Sequence, residues 1–208
     1  MTRFNVQEKF WIGNFGTKYI KRNSKPSILK SNIIFFKNCT SKLNKKKNYS
    51  LIEYGSNIGL NLIALKKVLK LNKVKAVEIN KNSFYELTKH KFVEAKNISA
   101  LNFTEKIKYD LVLTKGFLIH INPNKLKKIY KRLYASCKKK GHILICEYYN
   151  PTPLSLKYRG FKNVLFKRDF AGEMMKKYSN LKLIDYAFSY HKDKYYQNDI
   201  TWFLLKKL

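Results

Sequence analysis

Two carboxylates, Glu53 and Glu78, each close an apolar run, and a glycine turn follows the first. Leu51 to Asn61 reads Leu-Ile-Glu-Tyr-Gly-Ser-Asn-Ile-Gly-Leu-Asn. That is a strand ending in an acid, then a tight turn, then the start of an amphipathic helix. Glu78 closes the next apolar run, Val74-Lys75-Ala76-Val77. A glycine turn after one strand and an acid at the end of the next is how an open α/β sheet holds a ribose-bearing cofactor at its switch point. The spacing narrows the cofactor. A dinucleotide fingerprint needs Gly-x-Gly-x-x-Gly, so that backbone amides reach a pyrophosphate. Here the run is Gly55-x-Asn57-x-Gly59, and the third glycine is missing. A carboxylate at Glu53 would repel a pyrophosphate but would accept from an ammonium group. Asn57 is one of the few residue types that tolerate a left-handed backbone, so the turn survives there. The plainer alternative is a strand-turn-helix with no ligand.

The elements that must carry these groups follow from periodicity. Tyr49 to Tyr54 predicts the first strand. Ile58, Leu62, Leu65 and Leu69 recur at helical spacing after it. The second strand ends at Glu78, and Asn80 is the better placed cap of a short helix from Lys81 to about His90. Phe92 to Ala95 predicts a third strand and Tyr109 to Thr114 a fourth. Asn122-Pro123 marks a helix start running to about Cys137, and Gly141 is expected to open a fifth strand through Tyr148. From Glu147 to Phe161 the periodicity fails, and an irregular acceptor-binding lid is expected there. Leu183 to Tyr190 and Ile200 to Leu205 predict two closing strands, with His191 to Asp199 as an exposed polar linker. Residues 1–48 form an N-terminal helical segment, too aromatic between Glu8 and Asn23 to be a solvated tail, and residues 49–208 form one α/β domain.

Bulk numbers limit the alternatives. The chain has 208 residues, enough for one α/β domain with a full core. It contains no apolar run approaching a membrane span and no apolar signal-peptide core, so a cytoplasmic location is expected. Cys39, Cys137 and Cys146 are odd in number and lack C-x-x-C spacing, which argues against a disulfide framework or a zinc site. The net charge of +31 invites a nucleic-acid reading. Of the 44 basic residues, however, only Arg3, Arg22, Arg132, Arg159 and Arg168 are Arg, the type favoured for gripping phosphate. The lysines are spread along the chain, and the runs Lys45-Lys47 and Lys138-Lys140 read as solvated loops.

The acid-x-Gly-x-x-x-Gly run from Glu53 to Gly59 resembles motif I of class I S-adenosylmethionine methyltransferases. Further blocks narrow the likeness: Glu8-x-Phe10-Trp11, Leu113-Thr114-Lys115-Gly116, Ile119-His120-Ile121-Asn122-Pro123, Glu147-Tyr148-Tyr149-Asn150-Pro151-Thr152-Pro153, Tyr158-Arg159-Gly160, Phe166-Lys167-Arg168-Asp169-Phe170-Ala171-Gly172-Glu173 and Asp199-Ile200-Thr201-Trp202-Phe203-Leu204. Together they resemble the pseudaminic acid biosynthesis-associated methylases over nearly the whole chain. The resemblance implies a Rossmann-like class I methyltransferase fold, a mostly parallel seven-stranded sheet with helices on both faces and an antiparallel closing strand. It implies S-adenosyl-L-methionine as cofactor and a sugar, sugar nucleotide or nonulosonic acid of a surface-glycan pathway as acceptor.

Carried onto this chain, the resemblance gives each residue a role. Glu53 accepts from the ammonium of the methionine tail, and Glu78 from both ribose hydroxyls. Tyr54, Gly55, Ser56, Asn57, Gly59, Ile79, Thr114, Lys115 and Gly116 complete the cofactor contacts, and Asn97 and Ile98 stand against the adenine. Trp11 and Tyr19 are lid residues and Arg22 takes the methionine carboxylate, or these aromatics simply pack the outside and Arg22 is surface. His120 is the general base by position and titration range, or a structural histidine before Pro123. Tyr148, Tyr149 and Asn150 contact the acceptor, or the tyrosines pack the core at a strand end. Arg159, Lys167 and Arg168 bind an anionic acceptor, unless Asp169 or Glu173 pairs with them. No metal site is expected. Two alternatives stay open: an RNA methyltransferase using the basic surface, and a cofactor-binding module without catalysis. Against the first, the Asn/Asp-Pro-Pro-aromatic motif of base amino-methylases is replaced by Thr114-Lys115-Gly116-Phe117.

Overall fold

The computed structural model describes residues 4–23, 26–195 and 197–208. Three helices come first: α1 (Val6–Ile12), α2 (Asn14–Asn23) and α3 (Pro26–Cys39). Then β1 (Asn48–Tyr54), α4 (Leu60–Val68), β2 (Lys70–Glu78), α5 (Lys81–Thr88), β3 (Val93–Asn97) and β4 (Tyr109–Lys115) alternate. Two short 3-10 turns, Leu118–His120 and Pro123–Lys125, lead into α6 (Leu126–Ser136) and β5 (Cys137–Glu147). A hairpin of β6 (Leu154–Tyr158) and β7 (Phe161–Lys167), α7 (Phe170–Lys177), β8 (Leu181–Ser189) and β9 (Ile200–Lys207) complete the chain.

Seven strands form one sheet in the order β3-β2-β1-β4-β5-β9-β8. All neighbours run parallel except at β9, which is antiparallel to both β5 and β8. The order reverses between β1 and β4, the switch point at which an open sheet leaves a crevice beyond its strand ends. Apolar residues in β1 and β4 are buried throughout, as expected of central parallel strands covered on both faces. Ile52, Val112, Ile143 and Ile145 pack under α6 and α7, while Leu51, Leu111, Leu113 and Leu144 pack under α3 and α4. One face of each strand therefore feeds one layer, as the two-residue period requires.

Helix starts obey local capping. Asn5 and Glu8 form a reciprocal capping box on α1, and the Asn80 side chain caps α5 by accepting from the amides of Asn82 and Ser83. Three expectations need correction. The fifth strand opens at Cys137, so Lys138–Lys140 lie in a strand and not in a loop. Glu147 to Phe161 is irregular only in its first part: residues 148–153 carry no regular structure, but Leu154–Tyr158 is the rising arm of a β-hairpin, turned at Arg159 (φ 50) and Gly160 (φ 87). Two consecutive left-handed residues match a two-residue hairpin turn, but Arg in the first place hides the signal. Gln197, in the supposed exposed linker, is buried.

The N-terminal end of the sheet is tied by charge. Asp110, near the start of β4, accepts from the Ser50 amide at 3.0 Å and the Ser50 hydroxyl at 2.6 Å. Lys47 and Lys138 pair with it at 2.8 and 2.9 Å. Ser50 and these two lysines hold its carboxyl well below the usual range, against the effect of burial.

Candidate active site

At the opposite, C-terminal end of the strands lies a cavity of about 630 Å³, in the range of small-molecule sites. Its floor is the loop between β1 and α4. Gly55 (φ 76), Asn57 (φ 47) and Gly59 (φ 83) all adopt the left-handed region. A Cβ on Gly55 would meet the Phe117 ring at 2.5 Å, so only glycine fits there. Asn57 takes the position that its residue type tolerates. The Gly55 amide donates to the Val77 carbonyl at 2.9 Å, folding the loop against the end of β2.

Two carboxylates meet this loop. Glu78 accepts from the Asn57 amide and the Asn80 amide, each at 2.7 Å. It thus braces the loop before any ligand arrives, and a carboxylate with about four lone-pair sites keeps two for hydroxyls. Burial raises its pKa. Glu53, the penultimate residue of β1, is fully buried. Its Oε1 accepts from the Asn61 side-chain amide at 2.7 Å. Its Oε2 is buried with no hydrogen-bond partner. Burial pushes its pKa up to about 7, partly offset by Asn61, by Lys115 across the loop and by the nearby Ser56 hydroxyl. An orphaned buried carboxylate oxygen is costly, and a cationic ligand group is one way to complete it. Lys115 is itself desolvated and its pKa is lowered.

α1 and α2 cover the cavity. Side-chain hydrogen bonds hold them, among them Asn80 and Asn82 to Thr17 at 3.3 and 3.1 Å. The Asn80 side-chain amide donates to the Trp11 carbonyl at 2.9 Å, Ser99 bonds Glu8, and Gln7 donates to the Asn163 carbonyl at 2.6 Å. Asn122 donates to Gln7 at 3.2 Å, and Asn23 to Asn57 at 3.3 Å. Gly16 lets α2 approach closely, since a Cβ there would overlap the Trp11 carbonyl. Trp11, Tyr19 and Arg22 all line the cavity. Trp11 stands edge-on to His120 (4.7 Å between ring centroids) and to Tyr19 (5.3 Å), while Arg22 lies over the Tyr19 ring.

His120 is buried in the 3-10 turn after β4. Its Nδ1–H donates to the Val164 carbonyl at 2.6 Å, since a carbonyl can only accept. That leaves Nε2 as the lone-pair nitrogen. Burial lowers its pKa to about 4, so the ring stays neutral far below the near-neutral titration expected of it. The turn is pinned by Glu147 at the end of β5, which accepts from the amides of Phe117 (3.1 Å), Leu118 (3.0 Å) and Ile119 (3.4 Å). Burial raises the Glu147 pKa to about 7.

The structure gathers most of the expected residues and leaves some outside. Gly55, Ser56, Asn57, Glu78, Ile79, Ile98, Lys115, Gly116, His120 and Tyr148 line the cavity. Glu53, Tyr54 and Thr114 do not line it but are buried behind it, the Tyr54 hydroxyl held by Ser136 at 2.7 Å, and Gly59 faces Leu87 and His90. Asn97 stands outside, its side-chain amide donating to the carbonyls of Glu78 and Ile79 at 2.9 and 3.1 Å, so it braces β2 and does not reach an adenine from there. Tyr149 is exposed and packs on Phe203, and the Asn150 side-chain amide bonds the Thr152 carbonyl. Arg168 pairs with Glu173 at 2.7 Å, while Asp169 caps α7, which makes that cluster structural. Arg159 and Lys167 lie over the rings of Tyr158 and Tyr148, behind the cavity wall. Sequence reasoning missed Gln7, Asn32, Asn61, Ser99, Tyr158 and Gln197. Only Asn61, in the first turn of α4 beside the loop, carried a usable signal. Among the described residues no cluster of three or more His, Cys, Asp or Glu could hold a metal, and no helix is long and apolar enough to cross a membrane.

No family model and no curated protein sequence matches the chain. Solved structures do. The Burkholderia thailandensis 1,6-didemethyltoxoflavin-N1-methyltransferase, with bound 1,6-didemethyltoxoflavin and S-adenosylhomocysteine, superposes with a TM-score of 0.72 at 11% identity, over 97% of this chain and 87% of that one. DhpI in its SAM-HEP complex gives 0.67 at 10% identity, over 99% of both chains. The N-methyltransferase NodS from Bradyrhizobium japonicum gives 0.65 at 9% identity, over 89% of this chain and 98% of that one. The chain has the Rossmann-like fold of the class I S-adenosylmethionine-dependent methyltransferases.

Proposed function

We infer that the chain is an S-adenosylmethionine-dependent methyltransferase acting on a small, anionic acceptor. The observation that carries this reading is the unpartnered, buried Oε2 of Glu53 under a glycine loop that cannot serve a pyrophosphate. An amino-acid tail brings the ammonium that this oxygen lacks, and Glu78 keeps lone pairs for ribose hydroxyls. The same fold binds S-adenosylhomocysteine in the 1,6-didemethyltoxoflavin-N1-methyltransferase and SAM in DhpI. Arg22, Lys30, Lys115 and Lys194 around the cavity favour an acceptor that carries negative charge. The resemblance of its sequence blocks to pseudaminic acid-associated methylases favours a sugar, sugar nucleotide or nonulosonic acid.

When bound, this cofactor supplies an electrophilic methyl group on a sulfonium. The chain supplies alignment and a dry site. Trp11, Tyr19, Tyr148 and Tyr158 wall the cavity on the His120 side, and their rings suit the face of a sugar or heterocycle. His120 Nε2 would accept the hydrogen bond of the acceptor hydroxyl or amine and so hold the nucleophile in place. With its pKa near 4, this imidazole orients the nucleophile more than it deprotonates it. Glu147 is the positioning residue that fixes the turn carrying it. Calorimetric titration tests the cofactor half of the reading: S-adenosylmethionine should bind and NAD should not. Turnover on nonulosonic acids and sugar nucleotides tests the acceptor half.

A further inference from the structure

A line of amides, buried at Gln197 and Asn32 and half-buried at Asn61, runs from the segment before β9 to the acid at the end of β1. The Gln197 side-chain amide donates to Asn32 Oδ1 at 3.1 Å. Asn32 Nδ2 donates to Asn61 Oδ1 at 3.0 Å, and Asn61 Nδ2 to Glu53 Oε1 at 2.7 Å. Gln197 and Asn32 are 6% and 2% exposed, so these bonds do not compete with bulk water. The four residues come from four separate elements, and every amide points its donor end toward Glu53. Such an arrangement favours the carboxylate form and fixes which oxygen stays free. Lys115 of β4 and Glu78 of β2 are the other charged groups facing Glu53. Lys194, Tyr195, Gln197 and Asn198 also line the cavity, so the segment that begins the relay borders the ligand space directly.

We propose that Gln197, Asn32 and Asn61 are positioning residues that aim Glu53 Oε2 at the α-ammonium of the bound cofactor. The segment before β9 thereby senses and stabilises the amino-acid end of that ligand. This deepens, and rests on, the cofactor reading above. Glu53 is anchored through Oε1, and the relay prevents the carboxylate from rotating to satisfy both oxygens within the protein. Removing Asn32 leaves a buried donor of Gln197 and an acceptor of Asn61 unpaired and frees Glu53 to turn.

Calorimetry with two probes tests the relay. S-adenosylhomocysteine carries the amino-acid tail, and methylthioadenosine lacks it. Asn32→Leu should weaken binding of the first about tenfold, equivalent to about 1.4 kcal/mol, while leaving the second within about twofold. Gln197→Met should weaken the first about threefold, and the double variant should be no worse than Asn32→Leu, because both act through one chain. Equal loss of both probes in Asn32→Leu and Gln197→Met, or wild-type affinity for S-adenosylhomocysteine in Asn32→Leu, would overturn the relay alone. Wild-type protein that binds neither probe would overturn the cofactor reading and the relay with it.

Discussion

Asp110 and Glu53 sit on neighbouring strands, at opposite ends of one sheet, and the fold treats them in opposite ways. Asp110 has Ser50, Lys47 and Lys138 around it, and its carboxyl is held low. Glu53 is more deeply buried, lacks a direct ion-pair partner among the described residues, keeps one oxygen empty, and is pushed up to about 7. A saturated carboxylate stabilises a fold. An unsaturated one costs stability and is kept where a ligand completes it. The contrast separates the structural end of this sheet from its chemical end.

Glu53→Gln should break the contrast most strongly. It keeps an acceptor for Asn61 but removes the charge. S-adenosylmethionine affinity should fall about 100-fold by calorimetry. Stability should move the other way. The native Glu53 holds its proton to about pH 7, whereas the unfolded chain releases it near 4.5, so stability falls as pH rises through that window. Glu53→Gln removes this loss and should be more stable than wild type at pH 8, on the order of 2 kcal/mol in urea melts. The ammonium needs the ionised acid, so wild-type affinity should rise from pH 5.5 to pH 7 by about tenfold per unit and then level off.

His120→Ala should lower turnover about 100-fold with cofactor affinity unchanged. Because burial keeps the ring neutral above about pH 4, no acid limb between pH 5 and 7 should come from His120. A limb that disappears in this variant would show that the ring titrates higher and acts as a full base. Asp110→Asn should destabilise by about 2 kcal/mol and leave ligand affinity unchanged, discounted because both lysines are half exposed. The wild-type contribution of Asp110 is present above the ordinary carboxylate range and is lost as pH falls through its lowered value. Glu78→Ala should weaken the cofactor about tenfold, through lost ribose bonds and a loosened Asn57 amide. Arg168→Ala should change acceptor KM by less than about twofold, because Glu173 already holds the guanidinium.

The chemical end was the more legible of the two. Glycines at left-handed positions, an acid closing each of two apolar runs and a cap at Asn80 all leave marks within a few residues. What escaped depends on distant partners. Gln197 looks like a linker residue until Asn32 is found beside it, 165 positions away. Arg168 looks like an anion binder until Glu173 is placed one helical turn on. Asn97 looks like an adenine contact until its amide is seen to be engaged by β2. The hairpin of β6 and β7 was hidden by Pro151, Pro153 and the arginine at its turn. Lys138–Lys140 read as solvent because three successive outward lysines, the last at a left-handed φ of 62, break the two-residue alternation of a strand.

The measurement that reaches the central claim most directly is calorimetric titration of S-adenosylmethionine into wild type and Glu53→Gln in parallel at pH 8. Wild type should bind tightly and the variant about 100-fold more weakly, with the variant the more stable protein. Equal affinity for both would mean that the empty oxygen of Glu53 is not where the ligand's ammonium sits, and the division between structural and chemical ends would fall.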